Sequence, residues 1–256
     1  MDNEAAFSFN FSAFMAKKAK IYNWEFHAFP VGHQDVELGA DFVISDSTRY
    51  SIIEFKASHA TCVAENRKWR RRQLCEKLDT TIPMRVPHDK CHFISWVDLE
   101  TGIAKVNIYR HEACNQSVFG QSSRLLALEP LATTRMLGSQ FAEGFFKGNS
   151  EFSLSREEFK AYVKWVMKET SGSQEETLRF LVSDPTSQEC VQIPLFSIEQ
   201  VHAWMQKYPS QNSSNTPSTP QTQNSGLAPN AGNVADDSLD NDSQDAPGRG
   251  GPKSGI

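Results

Sequence analysis

Asp41, in Gly39-Ala40-Asp41-Phe42, is followed thirteen residues later by the acid-x-lysine Glu54-Phe55-Lys56. Two carboxylates can hold a hard divalent cation through oxygen ligands. A neighbouring ammonium can orient a water or stabilise negative charge on a phosphate. These residue types are the minimal equipment for metal-assisted cleavage of a phosphodiester. In that chemistry Asp41 and Glu54 hold Mg²⁺ or Mn²⁺ and Lys56 stands beside the attacking water.

Such a set works only if the chain brings it together. Alternation over 36–44 reads as a strand with Phe42 and Ile44 on one face and Asp41 and Val43 on the other. A second strand at 50–56 places Ile52, Glu54 and Lys56 on one face and Ile53 and Phe55 on the opposite one. The turn formers Ser45-Asp46-Ser47-Thr48-Arg49 between them predict a hairpin. Asp41 then lies close to the Glu54 strand.

On these residues the chain resembles the PD-(D/E)xK, or restriction-endonuclease-like, nucleases. The resemblance runs from the first helix to about residue 110, less than half of the chain. Asp41 matches the family's aspartate, Glu54 its acidic residue and Lys56 its lysine. The family often adds a glutamate from the preceding helix and a glutamine from the helix after the motif. Glu25 and Gln73 fit those positions. The resemblance implies that Glu25, Asp41 and Glu54 bind the metal and that Lys56 and Gln73 join the catalytic set. Ala40 stands where the family has a proline, a position without chemistry of its own. The implied fold is α+β: a small mixed β-sheet flanked by helices, a restriction-endonuclease-like core at about 7–110, and a C-terminal α/β extension.

The flanking elements add two constellations. Arg67, Lys68, Arg70, Arg71 and Arg72 are five basic residues in six positions on a helix expected at 62–78. Beside the motif they read as a surface that contacts the phosphates of nucleic acid. His88-x-x-Cys91 and His111-x-x-Cys114 flank an expected hairpin, with strands at 92–97 and 104–110, and carry the ligand types of tetrahedral zinc. Ordinary buried cysteines and loop histidines are the preferred reading there.

Further elements follow from periodicity. A helix is expected at 7–26, a loop between the helix at 62–78 and the strand at 92–97, and short helices around 124–128 and 137–146. Ser155-x-x-Glu158 is a capping-box pattern that opens a helix at 156–170. A strand at 177–182 and a helix at 198–208 complete the folded part, giving a domain at 1–208. From 209 to 256 the chain is dominated by Ser, Asn, Gln, Pro, Gly and Asp and has no aromatic residue, the composition of a disordered tail.

The formal net charge of −5 would argue against nucleic acid, but the tail carries five aspartates against Arg249 and Lys253. The rest of the chain is near neutral with its positive charge clustered. No apolar run reaches the length of a membrane span and the N-terminus lacks a signal-peptide plan. Five scattered cysteines suit reduced thiols, hence a cytoplasmic protein. The expectation is a Mg²⁺-dependent nuclease acting on nucleic acid, DNA ahead of RNA, in restriction, repair or defence against mobile DNA. A protein partner that supplies recognition or a motor is compatible with it, as is a homodimer. The competing reading is a non-catalytic scaffold subunit that keeps the nuclease fold and binds nucleic acid or a partner.

Overall fold

The computed structural model describes residues 3–147, 151–171 and 178–209. Its helices are α1 (Glu4–Tyr22), α2 (Asp35–Leu38), α3 (Trp69–Thr80), α4 (Ile82–Cys91), α5 (Tyr109–Ala113), α6 (Gln116–Phe119), α7 (Gly138–Phe146), α8 (Arg156–Ser171) and α9 (Ile198–Lys207). Its strands are β1 (His27–Pro30), β2 (Phe42–Ser45), β3 (Arg49–Lys56), β4 (His92–Val97), β5 (Ala104–Ile108), β6 (Met136–Leu137), β7 (Leu154–Ser155), β8 (Phe180–Ser183) and β9 (Gln192–Leu195). The fold class is α+β. β1 to β6 lie side by side in chain order, β7 pairs with β3, and β8 and β9 form a separate pair. Neighbours in the large sheet are antiparallel except β3 and β4, which run parallel. A parallel pair needs a crossover, and the segment carrying α3 and α4 supplies it.

The expected hairpin forms. The Asp46 carboxylate accepts from the backbone N–H groups of Thr48 and Arg49 at 2.9 and 2.7 Å, a local bond that closes the turn. Ser155 and Glu158 cap α8 reciprocally: the Ser155 N–H donates to Glu158 and the Glu158 N–H to the Ser155 hydroxyl.

Several expectations need correction. The strand at 36–44 is broken: residues 35–38 are helical and Gly39 follows with φ +88° before β2 begins. Asp35 and Glu37 in the first turn of α2 favour a helix start, and a left-handed residue cannot continue a strand. The helix at 62–78 is two pieces, a 3-10 helix at His59–Arg67 and α3, separated by extended Lys68. The loop before β4 is instead α4, with a proline in its first turn where a missing N–H is tolerated. Residues 124–128 are not helical, and β5 ends at Ile108 because Tyr109 opens α5. Thr177, where the penultimate strand was expected to start, and residues 210–256 of the tail lie outside the described residues.

The sheet has two unlike faces. On one, Ile44, Ile53, Phe55, Phe93 and Val106 pack against Phe7, Phe11 and Met15 of α1 and Phe141 and Phe145 of α7. On the other, Val43, Ile52, Ile94 and Trp96 meet Leu74 and Leu78 of α3 and Phe159, Tyr162 and Val166 of α8. The C-terminal pair β8–β9 and α9 join this second core through Phe180, Leu195, Val201 and Met205. Polar residues crowd the second face. In register it carries Glu54 beside Ile94 and Asn107, and Lys56 beside Trp96 and Lys105.

Candidate active site

Asp41 extends the β2–β3 ladder by one residue. Its N–H donates to the Ile53 carbonyl at 2.9 Å, and its carboxylate accepts from the Phe55 N–H at 2.6 Å. Since Phe42 faces Ile53, Asp41 faces Glu54. The turn that delivers Asp41 depends on Gly39, where a Cβ would stand 3.0 Å from both an Arg71 guanidinium nitrogen and the His92 ring. A buried chain of hydrogen bonds holds that turn. The Arg110 N–H donates to His88 Nε2 at 3.2 Å, so the His88 proton sits on Nδ1 and goes to the Tyr162 oxygen at 2.6 Å. The Tyr162 hydroxyl donates to His92 Nδ1 at 2.8 Å, and His92 Nε2–H donates to the Gly39 carbonyl at 2.7 Å. Both imidazoles are neutral in this chain. Burial lowers His88 well below the usual histidine value and His92 to about 3.

Glu54 is fully buried and Lys56 nearly so. Lys56 Nζ donates to Glu54 Oε1 at 2.5 Å and to the Phe55 carbonyl at 3.0 Å, and stands 3.1 Å from Glu65 Oε1. Two of its three N–H groups are hydrogen-bonded, and Glu65 Oε1, though within ion-pair distance, has no hydrogen-bond partner among the described residues. Lys68 reaches in from the gap before α3, 2.7 Å from Glu54 Oε1 and 3.0 Å from Glu65 Oε1. Glu65 Oε2 accepts from the Tyr109 hydroxyl at 2.7 Å and lies 3.5 Å from Arg71 Nε. The second oxygen of Glu54, Oε2, is buried and has no hydrogen-bond partner among the described residues.

Electrostatics separates the two carboxylates. Burial and the Glu54 charge raise the Asp41 carboxyl to about 8, against the lowering effects of the Phe55 N–H and Lys56. Burial pushes Glu54 in the same direction, but Lys56, Lys68 and Arg71 outweigh it and hold the group below the usual range. Burial lowers the Lys56 ammonium, and Glu54 and Glu65 more than reverse that, so it stays charged. The raised Asp41 thus carries the proton beside an ionised Glu54, and a cation could take that proton's place.

Asp41, Glu54 and Lys56 therefore converge, and the other expected residues do not join them. Glu25 lies past the end of α1 and pairs with the Ser47 hydroxyl and with His27 at 3.5 Å. Ser47 is in the hairpin turn, at the opposite end of β2 from Asp41. Four strand residues separate those ends by about 13 Å, so Glu25 does not complete a metal site. Gln73 is two residues beyond Arg71, about 200° around α3 from the side that faces Glu65. Its buried Oε1 has no hydrogen-bond partner among the described residues.

The basic run is also redistributed. Arg71 is fully buried, with a guanidinium nitrogen on the Asp35 carbonyl. Lys68 belongs to the Glu54 cluster. Arg70 pairs with Glu37 at 3.0 Å, and Arg72 with Glu76 at 2.9 Å and the Ser122 carbonyl at 2.8 Å. Arg67 is exposed. A continuous phosphate-binding stripe is not what these side chains form.

Three participants were missed: Glu65, Tyr109 and Glu4. The charge of Glu4, in the first turn of α1, raises both Asp41 and Lys56. The signal for Glu4 was the same helix, searched at its wrong end. Glu65 sits inside the basic run, where a lone acid could have been read as its internal counter-ion. Nothing local in the sequence marks Tyr109.

The zinc arrangement is absent. Cys114 is joined to Cys75 in a disulfide, which also corrects the expectation of five reduced thiols and removes their argument for a reducing compartment. His111 is bonded to Thr134 and Arg110, and His88 is committed to the chain above. Among the described residues no group of three or more His, Cys, Asp or Glu is placed to hold a metal. Asp41 and Glu54 alone still fit Mg²⁺, which uses one or two protein carboxylates and keeps waters or phosphate oxygens. The orphaned Glu54 Oε2 is the donor atom that such an ion would satisfy. Among the described residues no helix is long and apolar enough to cross a membrane. The chain matches no family model, no curated protein and no solved structure.

Proposed function

We propose that this chain is a metal-dependent nuclease that hydrolyses phosphodiester bonds, DNA ahead of RNA, on a restriction-endonuclease-like core. The observation that carries the reading is Glu54. Two ammonium groups fix one of its oxygens, and the other is buried, without a hydrogen bond among the described residues, on the side of the sheet shared with Asp41. Burial leaves that arrangement unfavourable unless a proton or cation satisfies it. Asp41 and Glu54 would hold Mg²⁺ or Mn²⁺, which when bound polarises a phosphate oxygen and lowers the pKa of a bound water.

The chain's own groups divide the remaining work. Asp41 gives up its proton when a cation arrives. The Phe55 N–H keeps the Asp41 carboxylate aimed along the ladder. Glu65, held by Tyr109 and Arg71, keeps Lys56 and Lys68 in place. The Lys56 N–H not given to Glu54 or the Phe55 carbonyl can orient a water or meet charge on a phosphate. Cleavage of linear, circular and single-stranded nucleic acid in Mg²⁺, Mn²⁺ or EDTA tests the reading. Loss of cleavage in EDTA and in Asp41→Asn is expected. Cleavage unaffected by either refutes it.

A second reading is a non-catalytic scaffold. The observation in its favour is that Lys56 and Lys68 both lie on Glu54 with Arg71 nearby, a cluster whose charges largely balance without a metal.

A further inference from the structure

Beyond the Lys56 end of β3 the polar face continues into a cavity of about 820 Å³ lined by His59, Trp96, Glu100, Lys105 and Arg135. It is tied to the site by register: Lys56, Trp96 and Lys105 form one row across β3, β4 and β5. Side chains in such a row share a face. Trp96 is buried, so the row links the two regions through packed atoms.

The cavity wall is built around one buried acid. Glu112 is 1% exposed. Arg135 binds it bidentately, Nε to Oε2 at 2.9 Å and Nη2 to Oε1 at 2.7 Å, and the Asn107 amide fixes it from the sheet at 2.8 Å. His59 Nε2 donates to Oε1 at 2.6 Å. The His59 ring and the Arg135 guanidinium also pack on Trp96, at 5.2 and 5.7 Å from its ring. Glu112 thus holds the Arg135 guanidinium and the His59 ring rigidly at the cavity surface. Arg135 Nη1 lies outside that hold. Lys105 adds an ammonium. Of the two rim carboxylates, Asp98 is turned to its own loop, accepting from the N–H groups of Glu100 and Thr101 at 3.1 and 3.2 Å. Glu100 adds a carboxylate to the lining.

We propose that this cavity is a subsite for a phosphate of the nucleic-acid strand, with Arg135 and Lys105 as its donors. It rests on the nuclease reading for the identity of the strand. Fixed, preorganised donors suit a phosphate because little side-chain freedom is lost on binding. A node that only tied the 3-10 helix to α5 would not need its cationic edges on a cavity of this size.

The test is binding of a fluorescent single-stranded oligonucleotide to the full chain in EDTA, where cleavage does not interfere. Arg135→Gln is expected to weaken binding about tenfold and to reduce the salt slope by about one. Because Arg135 also supports Glu112, Lys105→Gln is the cleaner variant: it leaves the Glu112 contacts intact and should weaken binding about threefold with an unchanged thermal midpoint. Glu100→Gln should tighten binding by a similar factor. If folded Lys105→Gln and Arg135→Gln bind with the parent's affinity and salt slope, the subsite is overturned. Inorganic phosphate is the second probe: if it binds as tightly as the oligonucleotide, the cavity serves a free phosphate and the strand assignment falls. Cleavage in Mg²⁺, measured separately, keeps the two proposals apart. A parent that binds through Lys105 and Arg135 without cleaving retains the subsite and refutes the nuclease. A parent whose cleavage and binding ignore both residues retains the nuclease and refutes the subsite.

Discussion

On the α1–α7 side of the sheet, Phe55 and Phe93 meet other rings: Phe55 lies 5.4 Å from both Phe7 and Phe11, and Phe93 lies 4.9 Å from Phe141. One residue along the same strand, on the other side, Glu54 meets two lysines and leaves an oxygen without a hydrogen-bond partner among the described residues. The backbone, the sheet and the degree of burial are common to both. Only the side chains differ. The ring-packed face stabilises the fold by removing apolar area from water. The charged face pays desolvation that ion pairs offset only in part, and well-packed apolar residues of similar volume would often serve stability as well or better. A face that keeps buried charge beside an equally available apolar solution is the one to search for chemistry.

The largest expected effects separate the two faces by what they damage. Asp41→Asn, Glu54→Gln and Lys56→Gln should each lower single-turnover cleavage by roughly 10³-fold. The conservative Phe93→Leu should leave turnover of the folded protein unchanged. Parent-like cleavage in the three polar variants would dissolve the distinction. For stability the order reverses. Phe93→Ala should cost about 3–5 kcal/mol in denaturant unfolding through the cavity it leaves. Asp41→Asn in metal-free protein should cost nothing at neutral pH.

A pH series sharpens that second contrast. The native Asp41 carboxyl is raised to about 8 while the unfolded one titrates near the ordinary value. Between those limits the native state holds a proton that the unfolded state has lost. Stability of the metal-free protein therefore falls as pH rises through that window and levels off above it. Asp41→Asn removes this slope, so its thermal midpoint should overtake the parent's by about 3 °C or more at pH 9. Saturating Mg²⁺ should cancel the difference by stabilising the parent alone. The buried histidines act at the other end. Their depressed native values give stability that is complete above the ordinary histidine value and is lost as pH falls toward about 3.

The legible parts of this molecule were those written in local pattern. The turn 45–49, the alternation in β3 and the capping box at Ser155 each depend on neighbours in sequence, and they positioned Asp41, Glu54 and Lys56 on paper. What was not legible depended on contacts made across the fold. Gly39 takes a left-handed conformation at the end of α2, and Arg71 and His92, from other elements, leave no room there for a Cβ. Arg71 itself, one of five bases in a row, is drawn inside by Glu65 and the Asp35 carbonyl. Glu25 fitted by spacing alone, and the order of β1 against β2 sends it to the far end of the hairpin. The Cys75–Cys114 disulfide spans 39 residues and has no local signature.

The smallest effect concerns the remnant of the basic run. Arg67 is exposed and, among the described residues, takes no part in the ion pairs that occupy Lys68, Arg70, Arg71 and Arg72. Arg67→Gln should weaken oligonucleotide binding by about two- to threefold at low salt and leave the thermal midpoint within about 1 °C. A larger loss would return the helix to the phosphate-contacting role expected of it.

The central claim is that the polar face is unfavourable until a divalent cation replaces the proton held by Asp41. Calorimetric titration of Mg²⁺ into the full chain, in buffers of different ionisation enthalpy across pH 6–9, measures that exchange. The account predicts release of about one proton per bound ion near pH 7, decreasing toward none at pH 9, with affinity rising over the same range and binding lost in Asp41→Asn. Absent binding, or binding that ignores both pH and Asp41, would contradict it.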